Sequence, residues 1–104
     1  MAKRKVIWIR NAEIQMLDVM DYYYFRNKNM IYSLKLRKDI KLKLHNLDFT
    51  IALPQKTTIE NLFYLTHNHI SVFFCIEIND IIVQFILDER RNPKGLQKIL
   101  DEFN

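Results

Sequence analysis

Ile70-Ser71-Val72-Phe73-Phe74-Cys75-Ile76-Glu77-Ile78 and Ile81-Ile82-Val83-Gln84-Phe85-Ile86-Leu87 are two β-branched and aromatic runs separated only by Asn79-Asp80. Runs of this length and composition read as strands, and an Asn-Asp step between them reads as a two-residue hairpin turn. The stretch therefore predicts an antiparallel pair as the centre of the fold.

Working back from it, Asn61-Leu62-Phe63-Tyr64-Leu65-Thr66 is a third strand candidate. Asn68 lies between it and Ile70, and asparagine tolerates the left-handed conformation of a tight turn. The result is a three-stranded meander. Working forward, Asn92-Pro93 opens a short helix, with Asn as N-cap and Pro at the first helical position. Leu96, Ile99, Leu100 and Phe103 form its apolar stripe.

The first half of the chain has a different period. Lys5-Val6-Ile7-Trp8-Ile9 reads as an opening strand. Asn11 is a candidate N-cap, with Glu13 placed to suit the helix dipole. Ile14, Leu17, Met20 and Tyr24 then recur at helical spacing, and Met16 and Tyr23 widen the stripe. Asparagines around Lys28 suit a tight connection. Residues 30–47 fit two patterns. Leu36, Ile40, Leu44 and Leu47 share a helical face, yet Ile40-Lys41-Leu42-Lys43-Leu44 alternates as a strand would. Length, the Leu/Lys content and the lack of a turn signal decide for helix. Residues 47–54, ending at Pro54, read as a loop. The predicted order is β-α-α-β-β-β-α: an αα-hairpin packed on a small, mostly antiparallel sheet, an α+β domain.

A chain of 104 residues supports one core, so residues 1–104 are expected to form a single domain. No apolar run has the length of a membrane span, and Val6-Ile7-Trp8-Ile9 is too short for a signal-peptide core. Cys75 is the only cysteine, which excludes an intrachain disulfide and fits a reducing compartment. A cytoplasmic location is expected. Gly95 is the only glycine, which excludes Gly-rich phosphate loops and dinucleotide fingerprints.

Charge is divided along the chain. Residues 1–43 hold eleven Lys/Arg against four Asp/Glu, and residues 44–104 hold five against eight, giving +7 and −3 within the net +4. A basic half favours an anionic partner, either nucleic acid or an acidic protein segment; a solvated helix face is the plain alternative.

Candidates for chemistry are few. His67 and His69 stand two apart, but nothing in the sequence locates a third metal ligand, so neither metal nor cofactor is expected. His69 is a weak candidate for a general acid near neutral pH. Arg90, Arg91 and Lys94 cluster where the last strand meets the last helix, whose N-terminus adds positive potential. Cys75 reads as a buried, inert thiol. Tyr22, Tyr23 and Tyr24 point in three directions around a helix, so core and surface roles divide among them.

Three segments, taken in order with this element order, carry a family resemblance. They are Lys5-Val6-Ile7-Trp8-Ile9-Arg10-Asn11-Ala12, Asp21-Tyr22-Tyr23, and Ile86-Leu87-Asp88-Glu89-Arg90-Arg91-Asn92-Pro93-Lys94-Gly95-Leu96, with His69 before the central strand. The chain so read resembles the RelE/ParE superfamily of type II toxin–antitoxin toxins along nearly its whole length. The resemblance implies one of two activities, ribosome-dependent cleavage of messenger RNA or inhibition of DNA gyrase. It also implies a cognate antitoxin that wraps the toxin. Leu96, Ile99, Leu100 and Phe103 are the expected antitoxin contacts, and Arg90, Arg91 and Lys94 the expected target contacts. The chain departs from the pattern in its cations. Leu62 and Phe63 stand where arginine is common, Cys75 replaces an arginine late in the central strand, and Pro54-Gln55-Lys56 replaces a Gly-Arg or Gly-Lys step. In-line attack by a 2′-hydroxyl needs a base, an acid and cationic support, so these losses favour a gyrase-binding toxin or a degenerate member over a nuclease. A degenerate member that only binds its antitoxin is the third reading.

Overall fold

A computed structural model describes residues 5–47 and 55–91. Strand β1 (Val6–Trp8) leads into α1 (Arg10–Asn27) and α2 (Ile31–His45), followed by β2 (Gln55–Lys56), β3 (Phe63–His67), β4 (Ile70–Glu77) and β5 (Asp80–Asp88). The five strands lie in the order β1-β5-β4-β3-β2. β1 runs parallel to β5, and all other neighbours are antiparallel. The domain is α+β, with the αα-hairpin on one sheet face. Among the described residues no helix is long and apolar enough to cross a membrane. The expected loop through Pro54 and the expected helix from Asn92, with Lys94, Leu96, Ile99, Leu100 and Phe103, lie outside the described residues.

The ambiguous segment is helical because a helix gathers Ser33, Leu36, Ile40 and Leu44 onto one buried face. Between the helices, Lys28 takes a left-handed conformation (φ 58°), and its N–H closes α1 by bonding Tyr24 O at 2.7 Å. Asn29 then accepts from the Ile31 N–H at 3.0 Å, covering an open donor at the start of α2. Ser33 Oγ donates to Met20 O at 2.7 Å and ties the hairpin together.

Four local expectations are corrected. Asn11 is not the N-cap of α1: Ile9 holds that position without a side-chain cap, because β1 runs directly into the helix. The buried stripe of α1 is Ala12, Met16, Val19, Met20 and Tyr23; Ile14, Leu17 and Tyr24 are exposed. Two stripes compete on this helix, and small Ala12 and Val19 let the backbone approach β5 where larger residues would hold it off. The turn between β4 and β5 is Ile78-Asn79, one residue earlier than read, since Glu77 pairs with Asp80. β2, paired with β3 through Gln55 and Lys56, was not anticipated; two residues carry no period.

Two apolar clusters flank the sheet. Ile70, Val72 and Phe74 of β4 join Ile81, Val83 and Ile86 of β5 beneath the helices, while Phe73, Phe85, Leu87 and Leu62 pack on the other side. The change of side within β5 comes from a bulge. Phe73 pairs with Phe85 and Phe74 with Val83, leaving Gln84 over. Strict alternation from Val83 would send Leu87 toward the helices. The extra residue sends Ile86 and Asp88 there instead.

Candidate functional site

The bulge sets up the most polar part of the interior. It turns Asp88, at the end of β5, toward α1, where Tyr23 and His69 meet it. The Tyr23 hydroxyl donates to Asp88 Oδ2 at 3.0 Å and is also bonded to His69 Nε2. His69 Nε2 lies 3.8 Å from Asp88 Oδ1. A phenol has one proton to give. With that proton on Asp88, the Tyr23 oxygen accepts from His69, which assigns the imidazole its proton on Nε2.

The electrostatics agree with this assignment. Burial, reinforced by the hydrogen bond and the charge of Asp88, holds the Tyr23 hydroxyl far above the ordinary tyrosine range. Burial also pulls His69 below its ordinary value; Asp88 pushes back, while Arg90 and Arg26 add to the lowering. The imidazole is therefore neutral and is packed against the Tyr23 ring at 5.3 Å between centroids. His69 is a part-buried strut joining the β3–β4 turn to α1, and its Nε2 is occupied by a partner inside the protein.

Asp88 also builds the turn that follows it. Its Oδ1 accepts from the backbone N–H of Arg90 at 3.0 Å and of Arg91 at 3.4 Å, an Asx-type turn that presents both arginines. The Glu89 N–H bonds His69 O at 2.9 Å, and Glu89 Oε1 accepts from Ser71 Oγ at 2.9 Å. Arg91 reaches back to α1, where Nη1 meets Asp18 Oδ2 at 3.1 Å and the guanidinium lies 4.4 Å from the Tyr22 ring centroid. A surface Asp88–Arg90 or Glu89–Arg91 pair would have been the simplest use of these charges; the structure instead spends the acids on backbone and serine and pairs Arg91 with the helix. Gln15, Asp18, Val19, Ile86, Leu87, Asp88 and Arg91 line a shallow cavity of about 280 Å³ between α1 and the end of β5. Gln15 enters it because β1 pairs with β5 only as far as Val83. Beyond that point the Ile86 N–H lacks a neighbouring strand, and Gln15 Oε1 accepts from it at 2.7 Å.

The remaining candidates are separated. His67, at the end of β3, faces α2, with Nε2 3.5 Å from Asp39 Oδ2. Burial and then Lys43 lower its pKa, Asp39 opposing. It does not share partners with His69, and among the described residues no three His, Cys, Asp or Glu side chains gather as a metal site. Cys75 is half-buried, and burial followed by Glu77 raises its pKa, which disfavours the reactive thiolate. Tyr23 is buried, while Tyr22 and Tyr24 are exposed. Leu62 is buried and Phe63 packs against the core beneath the helices, so β3 offers apolar contacts where a cation would have to be solvated.

Asp18 and Gln15 were missed by sequence reasoning, and Tyr22 was read without its contact to Arg91. Asp18 and Tyr22 do stand four apart on one helix face, the spacing at which two side chains can grip a common partner. That partner, Arg91, is distant in sequence, so only the fold reveals it.

With this geometry in place, comparison with solved structures finds a chain of the chromosomal ParDE TA system from P. aeruginosa, at TM-score 0.62 and 18% identity, covering 81% of this chain and 94% of that one. The fold is therefore RelE/ParE-like. No protein-family model matches the chain, and no curated protein does either.

Proposed function

We propose that this chain, with its RelE/ParE-like fold, is the toxin of a bacterial type II toxin–antitoxin module. In this reading it acts in the cytoplasm, is silenced by a cognate antitoxin, and arrests growth by binding DNA gyrase without cleaving RNA. The observation that carries the reading is the turn built on Asp88. It holds Arg90 and Arg91 at the end of β5, on a fold shared with a toxin–antitoxin structure. A guanidinium offers a planar fork of donors to a carboxylate or phosphate, which a lysine cannot reproduce. Lys94 follows three residues after Arg91 in the sequence and is a further cation of the same segment.

The interior position of His69 supports binding over cleavage. A general acid must reach the leaving oxygen, and this imidazole is neutral, part-buried and already bonded to Tyr23. The apolar character of β3 supports the same choice, since phosphate cleavage calls for cations there. Ribosome-dependent cleavage of messenger RNA is the second reading, and a member that only binds its antitoxin is the third.

The test is induction in cells, with translation, transcript ends and DNA supercoiling followed separately. Arrested supercoiling with intact messages is the expected result, lost when Arg90 and Arg91 are both replaced by Ala while the thermal transition is kept. Fresh cuts in ribosome-bound messages that disappear in His69→Gln would replace the gyrase reading with the nuclease. An absence of growth inhibition by the wild type would leave antitoxin binding alone.

A further inference from the structure

The outward surface of the helical hairpin is unusually apolar. Apart from Ile78, every large hydrophobic side chain exposed among the described residues lies on α1 or α2. Leu17 (58% exposed) and Leu34 (53%) stand close in sequence to Met20 and Ser33, which join the two helices, and Ile14, Phe25, Ile31 and Leu42 are exposed along the same hairpin. Contiguous patches of this kind mark interaction surfaces. The charges among them are sorted by helix. α1 carries three acids against two arginines, and α2 carries five Lys/Arg against one aspartate. Beside the outer α2 stripe, Leu34, Arg37, Lys38, Lys41, Leu42 and His45 line a groove of about 360 Å³.

We infer that this face is a dimer interface and that its occupant is a second copy of the same chain. A two-fold interface must be complementary to itself: whatever one copy presents to the other, it must also receive. One acidic and one basic helix, side by side, meet that condition when the axis runs along their seam. The operation places α1 of one copy over α2 of the other. Heights follow from the bond between Ser33 and Met20. Counting equal steps from that pair in the antiparallel hairpin, Asp21 is level with Tyr32 and Asp18 with Lys35. A two-fold along the seam preserves those heights, and with Asp18 held by Arg91 at 3.1 Å, Asp21 is the acid of each copy left to approach Lys35 of the other. Leu17 and Leu34 of both copies collect around the axis. An axis across the helices would instead set α1 on α1, acid facing acid, which like-charge repulsion disfavours.

Size sets the expected strength. At about 1.5 Å per residue α1 is roughly 27 Å long, and two helices about 10 Å apart make a face roughly 20 Å wide. That is about 550 Å² in projection, small beside the roughly 800 Å² per partner of a standard interface, and it puts the dimer in the size class of weak, transient contacts. The inference stands apart from the toxin reading, because it concerns the chain alone and uses neither Arg90 nor Arg91.

The experiment is sedimentation equilibrium of the full chain, without any partner, between about 2 and 200 μM, where mass action should populate the dimer progressively. The expected result is a mass rising toward twice that of the monomer. Leu17→Lys with Leu34→Asp should abolish the rise by weakening self-association more than about tenfold, with a circular-dichroism melt confirming that the variant is folded. Asp21→Lys and Lys35→Asp should each weaken it about fivefold, and the two together should return it to within about twofold of wild type, as exchanging the charges of a pair restores attraction. A monomer at every concentration would overturn the proposal. So would a double reversal no better than the singles, or a monomer that binds an acidic amphipathic peptide through Leu17 and Leu34, which would assign the face to a different protein.

Discussion

Replacing Tyr23 by Phe removes one oxygen and nothing else, and the structure places that oxygen at the junction of α1, the β3–β4 turn and the end of β5. Three consequences can be sized. The hydrogen bond to Asp88 at 3.0 Å is lost. Bonds to carboxylates are worth about 1.5–3 kcal/mol. Asp88 and His69, both largely buried, are left with fewer partners. An unsatisfied buried group costs about 1–3 kcal/mol. The third consequence offsets part of this. His69 Nε2 is already within 3.8 Å of Asp88 Oδ1, and a small shift would let them bond directly. The net expectation is a loss of about 2–4 kcal/mol. For a domain of this size that corresponds to a fall of roughly 10–25 °C in Tm. Urea denaturation read by tryptophan fluorescence and by circular dichroism would give the difference. The pH dependence gives a second readout. The folded Tyr23 pKa is raised, so its contribution is complete below the unfolded tyrosine value near 10 and is lost as pH climbs above it. Tyr23→Phe should lack that alkaline loss. A destabilisation below about 0.5 kcal/mol, the range of ordinary surface substitutions, would refute the claim that this hydroxyl organises the site.

Two further outcomes are expected besides those for target binding and self-association. Both His67 and His69 have lowered pKa values in the folded state, so the unfolded chain binds more protons as pH falls through about 6.5, and stability should decline from pH 7 toward 5. His69→Gln should flatten that decline in a series of urea titrations; an unchanged slope would count against a part-buried neutral imidazole. Ile78, 95% exposed with φ at 56°, occupies a turn position suited to glycine, and relieving about 1–2 kcal/mol of left-handed strain should outweigh the added unfolded-state entropy. Ile78→Gly should therefore raise the urea midpoint by an amount worth about 0.5–1 kcal/mol, and a lower midpoint would show that the Ile78 side chain has an energetic role there.

The layout was legible because it depends on local periods. Leu36, Ile40 and Leu44 define a helical face by spacing alone, Asn68 marks a turn by its tolerance of positive φ, and the runs either side of Ile78-Asn79 are too β-branched and aromatic for a surface helix. The placement of Arg90 and Arg91 after the last strand was legible for the same reason, since both are set by chain order.

The tertiary structure decided everything that depends on which face meets which. Two apolar stripes compete on α1, and the choice of Ala12, Met16, Val19 and Tyr23 for the interior follows from close packing against β5, leaving Ile14 and Leu17 outside. The leftover Gln84 turns Asp88 toward Tyr23 and His69, and a run as uniformly apolar as Ile81-Ile82-Val83 has no alternation from which such a shift could be read. Asp18 and Arg91 are 73 residues apart, and Tyr23 and Asp88 are 65 apart. Hydrogen bonds and ion pairs act over a few ångströms in space, and a sequence records only distance along the chain.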